Sequence, residues 1–343
     1  MSATTGTARS ATPAARPEAF ARLARRPGWT IIAGKEIGDH VSSVRFVVLL
    51  LVLGLAAGIP FYFATDRLRD AASDVSGAPA LFLALFTLGS DTISFLRADA
   101  FVGIVAPLLG LAFSFDSVNG ERADGTLPRL LSQPIHRDDV VNGKFAAGLF
   151  VIGLVIVAVV LIIAGMGMLR LGIVPAPGEI VRLGSWTLVT FVYVALWLAF
   201  GMLLSVTIRR AATSALIGFG VWLVITIFGN LIVTLVAGVV APISGSTPDE
   251  VLRSAATQEF VTRILPSTLY REVSVVLLNP SVTQVSTPTT VGQLEQAQQQ
   301  IPTLLSLDQS VLLVWPQTVA LIALTVACFA LAYVRFMRQE VRA

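Results

Sequence analysis

Apolar residues gather in long blocks along this chain, with short polar stretches between them. Six blocks, at about 46–64, 99–117, 145–169, 184–206, 212–241 and 311–334, match the roughly 20 apolar residues that carry a helix across a 30 Å hydrocarbon core. Blocks of this length predict helices, because backbone groups in lipid must be satisfied within the segment and barrel strands run to only about ten residues. Ahead of the first block, residues 29–44 place Ala33, Ile37, Val41 and Val44 on one helical face and Lys35, Glu36, Asp39 and Ser43 elsewhere. That is the pattern of a helix lying in the membrane interface. Between the fifth and sixth blocks, residues 242–310 are too polar to span. Their Pro, Ser and Thr punctuation separates helices predicted at 248–264, 267–278 and 291–300, read as a small cap over the outer mouth. The expected fold is an all-α integral membrane protein. It comprises a disordered tail (1–28), an interfacial helix (29–44), transmembrane helices 1–5 (45–241), an extracytoplasmic helical insert (242–310), and a sixth transmembrane helix with a cytoplasmic tail (311–343).

Residues 80–96 raise the question of a seventh span. Asp91 opposes it, since an acid at a helix centre costs about 2.5–3.5 kcal/mol to insert, and Gly89 and Ser90 weaken the helix further. Charge distribution is the stronger test. With six spans and both termini cytoplasmic, the cytoplasmic segments hold 16 of the 24 Lys and Arg residues, and the opposite side holds 8 against 12 acids. A seventh span would export the basic segments and break the positive-inside rule. We therefore read 80–96 as an outer-surface or re-entrant helix.

Composition agrees with this picture. The 343 residues are 55% hydrophobic and 13% charged, with a mean hydropathy of +0.80, whereas soluble domains carry about a quarter charged residues. The net charge of +3 follows from topology, so membrane lipid is an expected partner and nucleic acid is not. Cys328, the single cysteine, cannot form an internal disulfide.

Candidate chemistry within the chain is sparse. Residues 28–35 imitate a P-loop, but have one residue too many between the glycines and precede a span instead of following a strand. His40 and His136 lie in different segments, and no Cys/His cluster suggests a metal. His136, Asp138 and Asp139 read better as the start of the third helix after the Pro134 break. No Asp, Glu or His lies within a span away from its ends, which argues against an ion-coupled carrier. Two weakly polar stripes remain: Thr226, Asn230 and Thr234 in the fifth block, and Trp186, Thr190, Tyr193 and Trp197 in the fourth. Either could line a translocation path; the commoner role of such groups is to knit helices together.

The densest polar stretch is 116–144, with five acids and four bases in 29 residues. Leu127, Leu130, Leu131 and Ile135 give it an apolar face that a solvated loop does not need, so it reads as a docking surface. Its motifs are Gly120-Glu121-Arg122, Gly125-Thr126-Leu127, Leu130-Leu131-Ser132, Gln133-Pro134-Ile135 and Gly143-Lys144. They resemble the pattern between the second and third spans of ABC-2 type transporter permeases. Residues 266–280 are similar to the insert of the subgroup that includes the nitrous-oxide-reductase maturation permease. The resemblance implies a non-enzymatic permease subunit of an exporter in a prokaryotic plasma membrane. Two permease chains, identical or different, would sit over two separate ATP-binding subunits, which hold the ATP and Mg. It also implies that Gly125, Thr126, Leu127, Arg129, Leu130, Leu131 and Ser132 form a coupling helix, its leucines seated in the ATPase and Glu121, Arg122 and Arg129 flanking it. The alternative is that the same engine transmits force to an extracytoplasmic maturation or signalling partner without classical transport.

Overall fold

The computed structural model describes residues 27–70, 80–87, 97–132, 135–240, 248–283 and 304–339. The expected tail and the helix predicted at 291–300 lie outside them. The described residues open with α1 (Gly28–Val41), which meets α2 (Val44–Asp70) at a 65° bend. Next come α3 (Leu81–Thr87), α4 (Ala98–Ser114), the short pair α5 (Asn119–Ala123) and α6 (Thr126–Leu131), α7 (Arg137–Leu171) and α8 (Pro177–Thr207). The fifth span is α9 (Ala211–Leu223), a π-helical turn (Val224–Phe228) and α10 (Gly229–Val240). The insert supplies α11 (Pro248–Thr262) and α12 (Pro266–Leu278), and α13 (Leu307–Met337) completes the bundle. Five helices are long and apolar enough to cross a membrane, or up to six if the bent α1–α2 pair is one span. This is an all-α integral membrane protein.

Local chemistry sets the helix ends. At the start of α7, Asp139 Oδ2 accepts from the His136 amide at 3.2 Å, and Gly172 stops the helix at φ +68°, its amide bonded to Met168 O. Pro177 opens α8, where Glu179 Oε2 accepts from the Ala176 amide at 2.8 Å. The other Glu179 oxygen accepts from the Phe82 amide at 2.9 Å and so caps α3. Phe82, Leu83, Leu85 and Phe86 on α3 are fully buried. A helix apolar on all sides belongs inside, so the described part of 80–96 is inserted among the spans and does not lie on the surface.

α8 is the hub. Its most apolar window is 72% buried, against 17% for the fifth span and 17% for α13, and it packs against α4, α7, α12 and α13. The insert enters this packing. α11 runs back along α10 until Leu265 rests against Gly229; α12 then returns between α8 and α13. Tyr270 stacks on Tyr193 with ring centroids 4.5 Å apart, and the Tyr270 hydroxyl lies 3.0 Å from Thr190 Oγ1. Higher up, Trp186 Nε1 donates to Ser274 Oγ at 3.0 Å. Arg182 donates to Ser310 Oγ at 3.0 Å and to the carbonyls of Leu277 and Leu305. Tyr193 lies 16 residues into α8, about 24 Å along it, so the hairpin reaches the middle of the bundle. The described part of the insert therefore fills the bundle and does not cap it. Leu269, Val273, Val276 and Leu277 make a buried stripe on α12 that the polar average of 242–310 conceals.

Candidate functional site: the base-rich elbow

Between α4 and α7 the chain makes an elbow at the end of the bundle that carries most of the bases. Ser205 Oγ, near the end of α8, accepts from the amides of Val118 and Asn119 at 3.0 and 3.2 Å, and Asn119 Nδ2 donates to Ile208 O at 3.2 Å. Gly125, at φ +67°, turns α5 into α6, a left-handed conformation that a side chain would strain. Thr126 Oγ1 then donates back to Glu121 O at 3.2 Å. Leu127 is completely buried, and Leu130 and Ile135 pack against a cluster of Ile32, Val118, Val140, Val141, Met202 and Val206. Leu127 and Leu130, two of the leucines expected to face a partner, thus turn toward their own chain. Ala123, Asp124, Gly125, Thr126 and Ser132 form the exposed side. The side chains of Arg129 and Leu131, and residues Gln133 and Pro134, lie outside the described part.

One ammonium ties the elbow together. The Lys144 side chain is 3% exposed, and its Nζ lies 2.9 Å from Glu36 Oε1 on α1 and 2.8 Å from Glu121 Oε1 on α5. Lys35 bonds both Glu36, at 3.2 Å, and Asp39, at 3.1 Å. Neighbouring Gly143 permits the close approach of α1: a Cβ there would come within 2.8 Å of Ile32 and of Trp29 O. Asp139 Oδ1 accepts from the Trp29 amide at 3.0 Å. Arg45 pairs with Asp116 and lies over the Phe115 ring at 5.3 Å. Arg122 donates to the Gln339 side chain, Arg137 donates to Gln339 O at 3.1 Å, and Gln339 Nε2 donates to Val206 O at 2.7 Å. α1, α5, α7 and the end of α13 therefore form one polar assembly.

Burial pushes the Glu36 carboxyl up, but Lys144 and Lys35 outweigh it and hold the group below its ordinary value. Burial also lowers the His40 imidazole below its ordinary value. Lys144 adds to this, while Glu36, Asp116 and Asp39 oppose it. The His40 ring meets Phe113 edge-on at 5.1 Å. Among the described residues, no three His, Cys, Asp or Glu side chains gather as a metal site requires.

The two polar stripes do not converge. Thr190 and Tyr193 are buried, with Thr190 engaged by Trp186 O and Tyr270; Asn230 and Thr234 face outward and Thr226 is half-buried. Thr226 lies in the π turn, which breaks the 3.6-residue period that aligned it with the other two. Sequence reasoning missed two groups. Glu36 bonds a lysine 108 residues away, which no local pattern announces. Arg263, Glu259 and Glu272 were assigned to a polar exterior, yet α12 carries Glu272 into the bundle, where Gln317 Nε2 donates to it at 2.9 Å. The apolar stripe on α12 was the available signal.

The fold and this elbow define a multi-pass membrane protein with a polar elbow, tied down by Lys144, between its second and third spans. Residues 30–341 match the family model described as ABC-2 family transporter protein. The chain belongs to the ABC-2 family of transporter proteins. It is also similar to the probable ABC transporter permease protein NosY of Stutzerimonas stutzeri, 27% identical over 209 residues, covering 59% of this chain and 67% of that protein.

Proposed function

We propose that this chain is the permease subunit of an ATP-driven exporter, energised by separate ATP-binding subunits that dock on the exposed side of the elbow. The observation that carries the reading is the construction of the elbow within a chain matched to the family from residue 30 to 341. It is a projection locked by Lys144 to α1, α5 and α7, and so able to pass a push onward without yielding. α7 continues from it for 35 residues, about 52 Å, which is longer than the membrane is thick. In this reading the base-rich end faces the cytoplasm, and ATP with Mg stays in the partner, two copies of which serve two permease chains. Closure of the ATP-binding subunits favours one arrangement of the spans because the docked elbow fits that arrangement better. The outward Asn230 supplies the contact between permease chains, because an amide at such depth needs partners, whereas Thr234 Oγ1 donates to Asn230 O within its own helix.

The test is co-purification with the cognate ATP-binding protein, together with transport in vesicles. Ala123→Arg and Asp124→Arg change the exposed side only. Each is expected to reduce association at least about tenfold, equivalent to 1.4 kcal/mol, with the permease still monodisperse. Undiminished association in both would overturn docking at this surface. Leu127→Asp is no test, because it puts a charge into a closed interior. The force-transmission reading gains less support: the described half of the insert is engaged inside the bundle, not projecting toward an external partner.

A further inference from the structure

Three charged side chains of the insert meet at the edge of the bundle, Glu272 largely buried and Glu259 and Arg263 partly exposed, and among the described residues their charges do not cancel. Arg263, in the turn between α11 and α12, pairs with Glu259 at 2.6 Å and with Glu272 at 3.0 Å. The Glu272 side chain is 12% exposed. On α13, Gln317 is 4% exposed and spends its Nε2 on Glu272 Oε2, while its Oε1 is buried and has no partner among the described residues. The amide orientation follows from chemistry, since a flip would set its oxygen against a carboxylate. Glu272 lies between Tyr270 and Ser274, which touch Thr190 and Trp186 on α8, so it sits about 14–20 Å from the Pro177 end of that helix. Arg182 is committed to Leu277 O, Leu305 O and Ser310, roughly 10 Å further up α13, and Arg271 is exposed. Among the described residues, two carboxylates and one guanidinium leave one unit of negative charge in this place.

We propose that Glu272 and Gln317 bind one small monovalent cation, an alkali ion or ammonium. A vacant oxygen acceptor beside excess negative charge attracts a donor or a hard cation and repels anions. A water molecule would satisfy Gln317 Oε1 but leave the charge uncompensated where the dielectric constant is low. A divalent ion would reverse the excess instead of cancelling it, and it prefers six or more oxygen ligands. Glu259 and Arg263, each about one-third exposed, leave the site open on one side. The site is remote from the elbow and does not depend on how the chain is energised.

The experiment is a thermal melt of the full-length protein in detergent, in sodium, potassium, ammonium or choline chloride at matched ionic strength. Choline is too large to enter between two side chains. With about 100 mM of the bound ion and a Kd of roughly 20 mM, mass action raises the midpoint by about 2–4 °C over choline. Glu272→Gln removes the excess charge and erases that increment. Gln317→Leu reduces it, and Asp308→Asn, at the same end of the bundle, leaves it intact. Equal midpoints in all four salts overturn the proposal without recourse to any variant. So does an increment that survives Glu272→Gln, one given only by calcium or magnesium, or one matched by mild acid in choline, which marks a proton.

Discussion

Lys144 stands between two carboxylates on different helices, and its removal leaves Glu121 without an ion pair and Glu36 with Lys35 alone. Lys144→Met is expected to destabilise the protein by about 3–5 kcal/mol, the penalty typical of breaking a buried pair from one side. Adding Glu36→Gln and Glu121→Gln should recover most of that loss. Thermal melts in detergent decide it; a Lys144→Met midpoint equal to the parent's sinks the idea. Acid is a second probe of the same assembly. His40 binds a proton less readily folded than unfolded, so stability falls as pH drops through its ordinary value near 6.5. Glu36, held below its ordinary value, contributes stability above about 4.5 that is lost as pH falls through its folded-state value. The melting midpoint should therefore decline below about pH 7 through His40 and again below about 4.5 through Glu36, and His40→Gln should flatten only the upper of these two declines. Much at this scale was readable beforehand: Gly143-Lys144 and Glu121 lay in quoted motifs. Glu36 was not, because the pair is made by tertiary folding across most of the first three spans.

At the scale of elements, the helix ahead of the first span, the long apolar helices and two of the three predicted insert helices could be read from periodicity and punctuation. The direction of the α6 leucines could not. An apolar face on a short polar stretch is equally good evidence for a partner and for self-packing; only the cluster around Val140 and Met202 distinguishes them. α12 failed for a related reason, since averaging over the 69 residues of 242–310 hid a stripe of four apolar residues. The seating of α1 on α7 is testable at this scale. Gly143→Ala sets a methyl group 2.8 Å from Trp29 O, a backbone atom that moves only if α1 lifts. A loss of about 1–3 kcal/mol is expected, with hydrogen exchange accelerated along α1 and unchanged in α8. Uniform protection in both helices would show that α1 accommodates the methyl group in place.

For the whole molecule, the class and span count were legible because hydrocarbon imposes so simple a length rule. The interior arrangement was less so, because α8 collects partners from four separate parts of the chain. The fifth span is its opposite, mostly uncovered and marked by outward Asn230 and Thr234. If two copies meet there, Asn230→Cys in a Cys328→Ser background should give a disulfide-linked dimer in membranes. Monomer alone under oxidation, with the thiol still open to labelling, rules out contact at that position. The Lys144 junction also has a history in time. Glu36 and Glu121 leave the ribosome before Lys144 does, so a nascent chain carries two acids awaiting one base. Ribosome-bound chains stopped at about residue 140 should leave α1 open to protease, and chains extended past the third span should protect it. Equal protection of both would mean that α1 docks without the lysine. On this account α1, made early, is among the last helices to be secured, and completion of the third span is the event that secures it.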